Sequence, residues 1–170
     1  MPQYHTSRHV KHSAANMFEL VADVERYPEF VPLCQALRVR SRSVEDGHDV
    51  IAATMTVAYK LLSESFTSRI VLDRQANEIR VSYINGPFKY LQNVWTFKPT
   101  GDASCIIGFK IAYEFRSRVL QAVMGAAFDT AFRKFANAFE ARADRIYGRE
   151  HPGGQPVAGQ GVPLKDSPSA

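Results

Sequence analysis

The fold is decided by residues 105–139, CIIGFKIAYEFRSRVLQAVMGAAFDTAFRKFANAF. The spacing between apolar residues changes half-way along this stretch. Up to residue 115 every second residue is apolar, which is typical of a strand with one buried face. Beyond Ser117 the apolar residues recur at helical spacing: Leu120, Met124, Phe128, Phe132, Phe135 and Phe139. Ser117 suits a helix N-cap and Gly148 a helix end, so the sequence predicts a strand followed by a long helix.

The preceding sequence predicts the partners of this last strand. Residues 3–10 indicate a first strand, Ser13 caps a short helix that runs to Asp23, and a connector with two prolines follows. Between residues 34 and 115 apolar residues recur at every second position, in segments separated by turns such as Asp46-Gly47. This pattern predicts an α+β domain in which a seven-stranded antiparallel sheet curls around the terminal helix, because no other element is long enough to cover its apolar face.

Composition predicts one soluble domain, residues 1–148, and a disordered Gly/Pro-rich tail, residues 149–170. No apolar run is long enough to span a membrane and no targeting peptide is evident, so we expect a bacterial cytoplasmic protein. The two cysteines lie far apart and no histidines have metal-ligand spacing, so we expect free thiols and no metal site. The net charge of +4 favours anionic lipid or RNA as a partner and is too small for a DNA-binding protein.

Three segments carry a family resemblance: YPEFVPLC at residues 27–34, GPFKYLQNVWTF at residues 86–97 and FDTAF at residues 128–132. They resemble the bacterial and mitochondrial coenzyme Q-binding family of START-like proteins, in the polyketide cyclase/START superfamily. The resemblance implies a helix-grip fold with a hydrophobic cavity, non-enzymatic binding or chaperoning of ubiquinone for respiration, and transient contact with the inner membrane. Similar bacterial sequences are named RatA-type ribosome association toxins, which implies a second function, growth regulation through a ribosomal subunit.

A quinone carrier needs an apolar tunnel and an entrance. The predicted tunnel residues are large or apolar side chains on one face of the sheet and helix: Met55, Val57, Tyr59, Phe66, Ile70, Tyr83, Asn93, Trp95, Phe109, Met124, Phe128 and Phe132. The predicted entrance is formed by connector residues: Tyr27, Phe30, Val31 and Pro32. Asn93 and Ser68 are polar on apolar faces, where they are able to bind a quinone carbonyl, a backbone group or a buried water.

Other functions have less support in the sequence. Arg38, Arg40 and Arg42 are predicted to share the outward face of one strand, as a contact for anionic lipid or ribosomal RNA, or as a solvated face. There is no GxSxG motif, P-loop or dinucleotide fingerprint, and Cys34 has no evident catalytic partner. A polyketide cyclase-like enzyme is the remaining alternative; it requires acid–base groups in the cavity, and the sequence shows no convergent pair. We therefore predict a protein that is not an enzyme.

Overall fold

The computed structural model describes residues 3–148, and the predicted tail of residues 149–170 lies outside this range. The elements follow in the order β1 (Gln3–Val10), α1 (Ala14–Ala22), a 3₁₀ helix (Val24–Glu29), β2 (Cys34–Glu45), β3 (His48–Tyr59), β4 (Leu62–Asp73), β5 (Glu78–Asn85), β6 (Phe88–Gly101), β7 (Ser104–Phe115) and α2 (Arg118–Tyr147).

All seven strands form one antiparallel sheet in the order β1-β7-β6-β5-β4-β3-β2. Strands β2 to β7 form the predicted meander, and β1 pairs with β7 at the far edge. The α1 helix and the connector that follows it therefore carry the chain across the inner face of the sheet. The predicted α+β architecture, a seven-stranded sheet with a long terminal helix, is confirmed.

Both helices begin at the predicted serine caps. The hydroxyl oxygen of Ser13 accepts a hydrogen bond from the backbone N–H of Asn16 at 3.0 Å. The hydroxyl of Ser117 accepts one from the N–H of Leu120 at 3.2 Å. Each bond satisfies a backbone donor that has no partner within its helix, which fixes where the helix starts.

A β-bulge in β2 overturns one prediction about the outward arginines. The register shifts between Val39 and Ser41, so one extra residue enters β2 and the later side chains change face. Arg38 and Arg40 lie on the outer face, where Arg40 Nε donates to Thr54 Oγ1 at 2.9 Å. Arg42 instead pairs in register with the buried Ile51. The three arginines therefore do not share one face.

The turn between β3 and β4 contains neither glycine nor proline. It is formed by Lys60 and Leu61, with Lys60 in the left-handed region at φ 55°. Gly86, between β5 and β6, has a φ of 142°, and a Cβ placed there would lie 2.6 Å from Phe66 Cβ. The close approach of these two chain segments therefore requires glycine at residue 86.

Candidate functional site: an apolar cavity

The inner face of the sheet, α2 and the connector enclose a cavity of about 120 Å³. Helix α2 packs against β1 and β7, at one side of the curled sheet. Rings on its N-terminal half meet the sheet closely, as where Phe128 lies 5.4 Å from Phe115 between ring centroids. Towards β3 and β4 the helix stands away from the sheet, and small side chains such as Ala53 and Ala131 leave the space between them unfilled.

Nine of the twelve predicted tunnel residues line this cavity, as do three of the four predicted entrance residues. The nine are Met55, Val57, Phe66, Ile70, Asn93, Trp95, Phe109, Phe128 and Phe132; the three are Tyr27, Val31 and Pro32. The geometry brings these side chains together, and their binding of a ligand stays a prediction.

The other four predicted residues lie elsewhere and have other contacts. The Tyr83 hydroxyl accepts a hydrogen bond from the backbone N–H of Phe88 at 3.0 Å. Met124 is fully buried in the core, and Tyr59 lies at the end of β3 with the Lys60 ammonium 5.4 Å from its ring. The Phe30 ring packs edge-on against Phe139, with 5.0 Å between centroids.

Sequence reasoning missed several lining residues for two different reasons. Val81 lies on the same face of β5 as Tyr83, Leu37 alternates with the outward Arg38 on β2, and Phe135 belongs to the predicted helix stripe, so periodicity alone indicates them. Val21 and Val24 line the cavity only because α1 and the 3₁₀ helix fold back over the sheet. No local pattern reveals that contact.

The cavity reaches solvent between α2 and the start of β2. Most lining residues are buried, and seven are partly exposed. Five of these seven lie together and mark the mouth: Pro32, Leu33, Leu37, Met55 and Phe135; Tyr27 and Val81 are the other two. Leu33 has a φ of 69°, a conformation that is uncommon for a residue with a branched side chain. Its carbonyl accepts a hydrogen bond from the N–H of Ala58 at 3.0 Å, which ties the connector to β3. The mouth therefore lies between the helix and this tied connector.

Three polar side chains line the cavity, and two of them are engaged. Asn93 Nδ2 donates to the carbonyl of Lys110 at 2.8 Å. The Tyr27 hydroxyl donates to the carbonyl of Val21, and burial raises its pKa. Ser68 is only 5% exposed, and its hydroxyl has no partner among the described residues. The cavity thus presents one free hydroxyl on an otherwise apolar wall.

The Tyr27 phenol, whose pKa burial raises, is the one ionisable group that lines the cavity within residues 3–148: the wall contains no Asp, Glu, His, Lys, Arg or Cys side chain. Burial raises the pKa of both Cys34 and Cys105 to about 11, so each thiol stays protonated near neutral pH. In the same range, no group of His, Cys, Asp and Glu side chains is arranged to hold a metal ion. The site offers apolar contact and hydrogen bonding.

The family model for polyketide cyclase/dehydrase and lipid-transport proteins matches residues 10–140. The chain belongs to this family. It is 36% identical over 148 residues to the ribosome association toxin RatA of Pseudomonas aeruginosa, a match that covers 84% of this chain and 99% of the toxin. It is 30% identical to the mitochondrial coenzyme Q-binding protein COQ10 homolog B of Xenopus laevis, covering 87% of this chain and 60% of that protein.

Solved structures share the polyketide cyclase and lipid-transport fold. The solution structure of an 18 kDa protein of Caulobacter crescentus is 35% identical, with a TM-score of 0.72 over 87% of this chain and 99% of the other. The ZhuI aromatase/cyclase of a Streptomyces species has a TM-score of 0.71 over 85% of this chain and 94% of its own. At 16% identity the cyclase shows a shared fold alone. In the described part of the chain, no helix is long and apolar enough to cross a membrane.

Proposed function

We propose that this chain binds an isoprenoid quinone such as ubiquinone, without chemical conversion, at the cytoplasmic surface of the inner membrane, and so supports respiration. The observation that carries the proposal is the free hydroxyl of Ser68 on the apolar cavity wall. A buried donor without a partner costs about 1–3 kcal/mol. A ligand with a carbonyl oxygen on an otherwise apolar ring recovers that cost, and a quinone ring has this composition.

The cavity volume supports a ring-sized ligand. An apolar cavity of about 150 Å³ is able to hold benzene. The 120 Å³ found here is of the same order, so it is on the scale of one six-membered ring and is too small for a folded polyprenyl chain. In our proposal the ring lies near Ser68, and the isoprenoid tail runs out through the mouth between Leu33 and Phe135.

Two further observations support a carrier over an enzyme. The cavity wall contains no carboxylate, imidazole, amine or thiol for acid–base chemistry of the cyclase type, and its one phenol, that of Tyr27, is bonded to the Val21 carbonyl. The relative from Xenopus laevis is named for coenzyme Q binding, whereas the cyclases share only the fold. The protein needs no cofactor in this proposal, because the quinone is its cargo.

The single tryptophan provides a direct test. Trp95 lines the cavity, so a bound quinone is expected to quench its fluorescence. We expect saturable quenching by a short-tailed ubiquinone and a quinone in the organic extract of protein purified from a quinone-producing host. Ser68→Ala is expected to weaken binding about five- to tenfold, and Ser82→Ala, on the exposed face of β5, to leave it unchanged. A chain that neither quenches nor carries quinone contradicts the proposal.

A second candidate is binding to a ribosomal subunit, as the name of the P. aeruginosa relative suggests. Exposed Arg38 and Arg40 on the outer face of β2 supply cations for phosphate contacts. This candidate predicts that the protein cosediments with free ribosomal subunits and that the bound fraction falls as the salt concentration rises. The double variant Arg38→Ala with Arg40→Ala is expected to bind more weakly. If the protein stays in the supernatant when ribosomal subunits are sedimented at low salt, this candidate function is ruled out.

A further inference from the structure

The hairpin of β3 and β4 extends beyond its neighbours at one end of the sheet. Strand β4 pairs with β3 from Leu62 onwards, but its pairing with β5 starts only at Thr67. Residues 62–66 therefore have no ladder partner on β5, although Gly86 lies against Ser65 and Phe66. Residues 62–64 extend beyond this contact, which at about 3.3 Å per residue is roughly 10 Å of strand. Strand β2 reaches only as far as Val57 on the other side. The turn at Lys60 and Leu61 is thus the tip of an extended two-stranded ribbon.

Four of the six large apolar side chains that are exposed within residues 3–148 lie at this end. Leu61 is fully exposed at the hairpin tip, and Ile84 is 50% exposed near the end of β5. Val119 and Val123, 72% and 40% exposed, are one turn apart at the start of α2. Antiparallel connectivity brings these positions together, because β3, β5 and β7 end where β4, β6 and α2 begin. Scattered apolar residues are ordinary on a surface, but a group at one end indicates a contact site.

The charges at this end are mainly positive. Lys60, Lys89, Arg116 and Arg118 are exposed there, against the partly buried Glu64 and Glu114. Lys89 and Glu114 form an ion pair at 3.0 Å, which leaves Lys60, Arg116 and Arg118 against Glu64, so the field at this end is positive. Exposed apolar side chains flanked by cations are typical of proteins that bind the interface of an anionic bilayer. Nucleic acid is a poorer match, because phosphate contacts give no reason to expose leucine and valine.

This end of the molecule is adjacent to the cavity. Met55 and Val57 precede the hairpin tip, Phe66 follows it, and all three line the cavity. Phe128, also a lining residue, lies on α2 a few turns beyond Val119. The connector is joined to the same hairpin through the hydrogen bond between Ala58 and Leu33. A bilayer that contacts the hairpin tip is therefore close to the cavity mouth.

We propose that Lys60, Leu61, Arg116, Arg118, Val119 and Val123, the docking end, bind the surface of an anionic lipid bilayer. Leu61 and the two valines enter the interface, and the three cations contact lipid phosphates. The inference goes beyond quinone binding, because it requires no ligand in the cavity. It also places the membrane contact on the hairpin and the start of α2, whereas the connector residues Phe30 and Val31 are turned towards Phe139 and the core.

Vesicle flotation tests the docking end. The probe is a quinone-free vesicle of phosphatidylcholine with about one-third phosphatidylglycerol, compared with phosphatidylcholine alone. We expect binding to the anionic vesicle that weakens with salt and falls at least about tenfold in the double variant Leu61→Ser with Val119→Ser. The matched control is Val44→Ser with Ile146→Ser, which removes exposed apolar side chains at the opposite end and is expected to leave binding unchanged. Because all four positions are exposed, the fold is expected to persist, as circular dichroism will show.

Either of two results overturns the proposal that the docking end binds the bilayer. The first is wild-type protein that does not float with anionic vesicles, and the second is an equal loss of vesicle binding in the control variant. Binding to ribosomal subunits through Leu61 and Val119, without vesicle binding, also overturns it in favour of a ribosomal contact. Quenching of Trp95 by a quinone in vesicle-free buffer reports separately on the cavity. Failure of docking with intact quenching therefore refutes the docking end and leaves quinone binding by the cavity standing, and the reverse result refutes quinone binding and leaves the docking end standing.

Discussion

The guanidinium of Arg142 on α2 donates a hydrogen bond to the carboxylate of Glu29, 113 residues earlier on the 3₁₀ helix. The same guanidinium lies 4.9 Å from the centre of the Phe30 ring, and Arg142 is buried. Arg26 also bonds to Glu29, at 2.9 Å. These contacts hold the connector against the terminal helix, and so fix the wall of the cavity that Tyr27, Val31 and Pro32 form.

This contact predicts a pH dependence of stability. Hydrogen bonds from Arg26 and Arg142 lower the pKa of Glu29. A carboxyl group with a lower pKa in the folded state stabilises fully above its unfolded pKa, about 4.3, and loses that contribution as pH falls through the folded value. We expect Glu29→Gln to lower the urea midpoint at pH 7 and to differ little from wild type in strong acid. Glu25→Gln, on the same 3₁₀ helix but paired with Arg42, is the control; an equal effect of both changes contradicts the role of Arg142.

The Ser68 hydroxyl is expected to lower the stability of the ligand-free protein, although it favours binding of the quinone. Removing a buried hydroxyl that has no partner removes its desolvation cost, so Ser68→Ala is expected to raise the free energy of unfolding by about 1 kcal/mol. Urea denaturation of the ligand-free protein measures this change. A destabilised Ser68→Ala variant contradicts the finding that the hydroxyl is unpaired.

Filling the cavity is expected to separate binding from folding. Ala131 is buried on α2 and lines the cavity, so Ala131→Leu places three more carbons in the space proposed for the ring. We expect quenching of Trp95 by ubiquinone to disappear, with stability unchanged or higher by up to about 1 kcal/mol. Ala126→Leu, at an exposed position of the same helix, controls for the effect of leucine on α2. Undiminished quenching in Ala131→Leu places the quinone elsewhere.

Replacing Gly86 by alanine is expected to lower the free energy of unfolding more than replacing Gly47. Both have positive φ, but a Cβ at Gly47 meets nothing within 4 Å, whereas one at Gly86 lies 2.6 Å from Phe66 Cβ and 2.9 Å from its Cα. Gly47→Ala therefore costs about 1 kcal/mol of backbone strain. Gly86→Ala adds a displacement of Phe66 in the cavity wall, and we expect a loss of at least about 2–3 kcal/mol. Thermal unfolding of both variants checks the difference, and equal losses refute the steric argument.

Much of the architecture followed from local patterns. The change of period at residue 117, the two serine caps and the alternating strand faces are each set by a few neighbouring residues, so the sequence alone determined the elements and about half of the cavity wall. It also indicated the family, through YPEFVPLC and the helix that carries Phe128 and Phe132.

Only the tertiary structure decided the rest, because these features depend on residues far apart in the chain. The bulge that moves Arg42 to the other face of the sheet from Arg38 and Arg40 arises from the pairing of β2 with β3. The pairing of Arg142 with Glu29, and the position of Val21 and Val24 over the cavity, depend on how two helices pack on the sheet. Whether the apolar interior is filled or hollow depends on the distance between α2 and the curled sheet. The spacing of apolar residues along the sequence is the same in both cases, so the sequence pattern does not distinguish them.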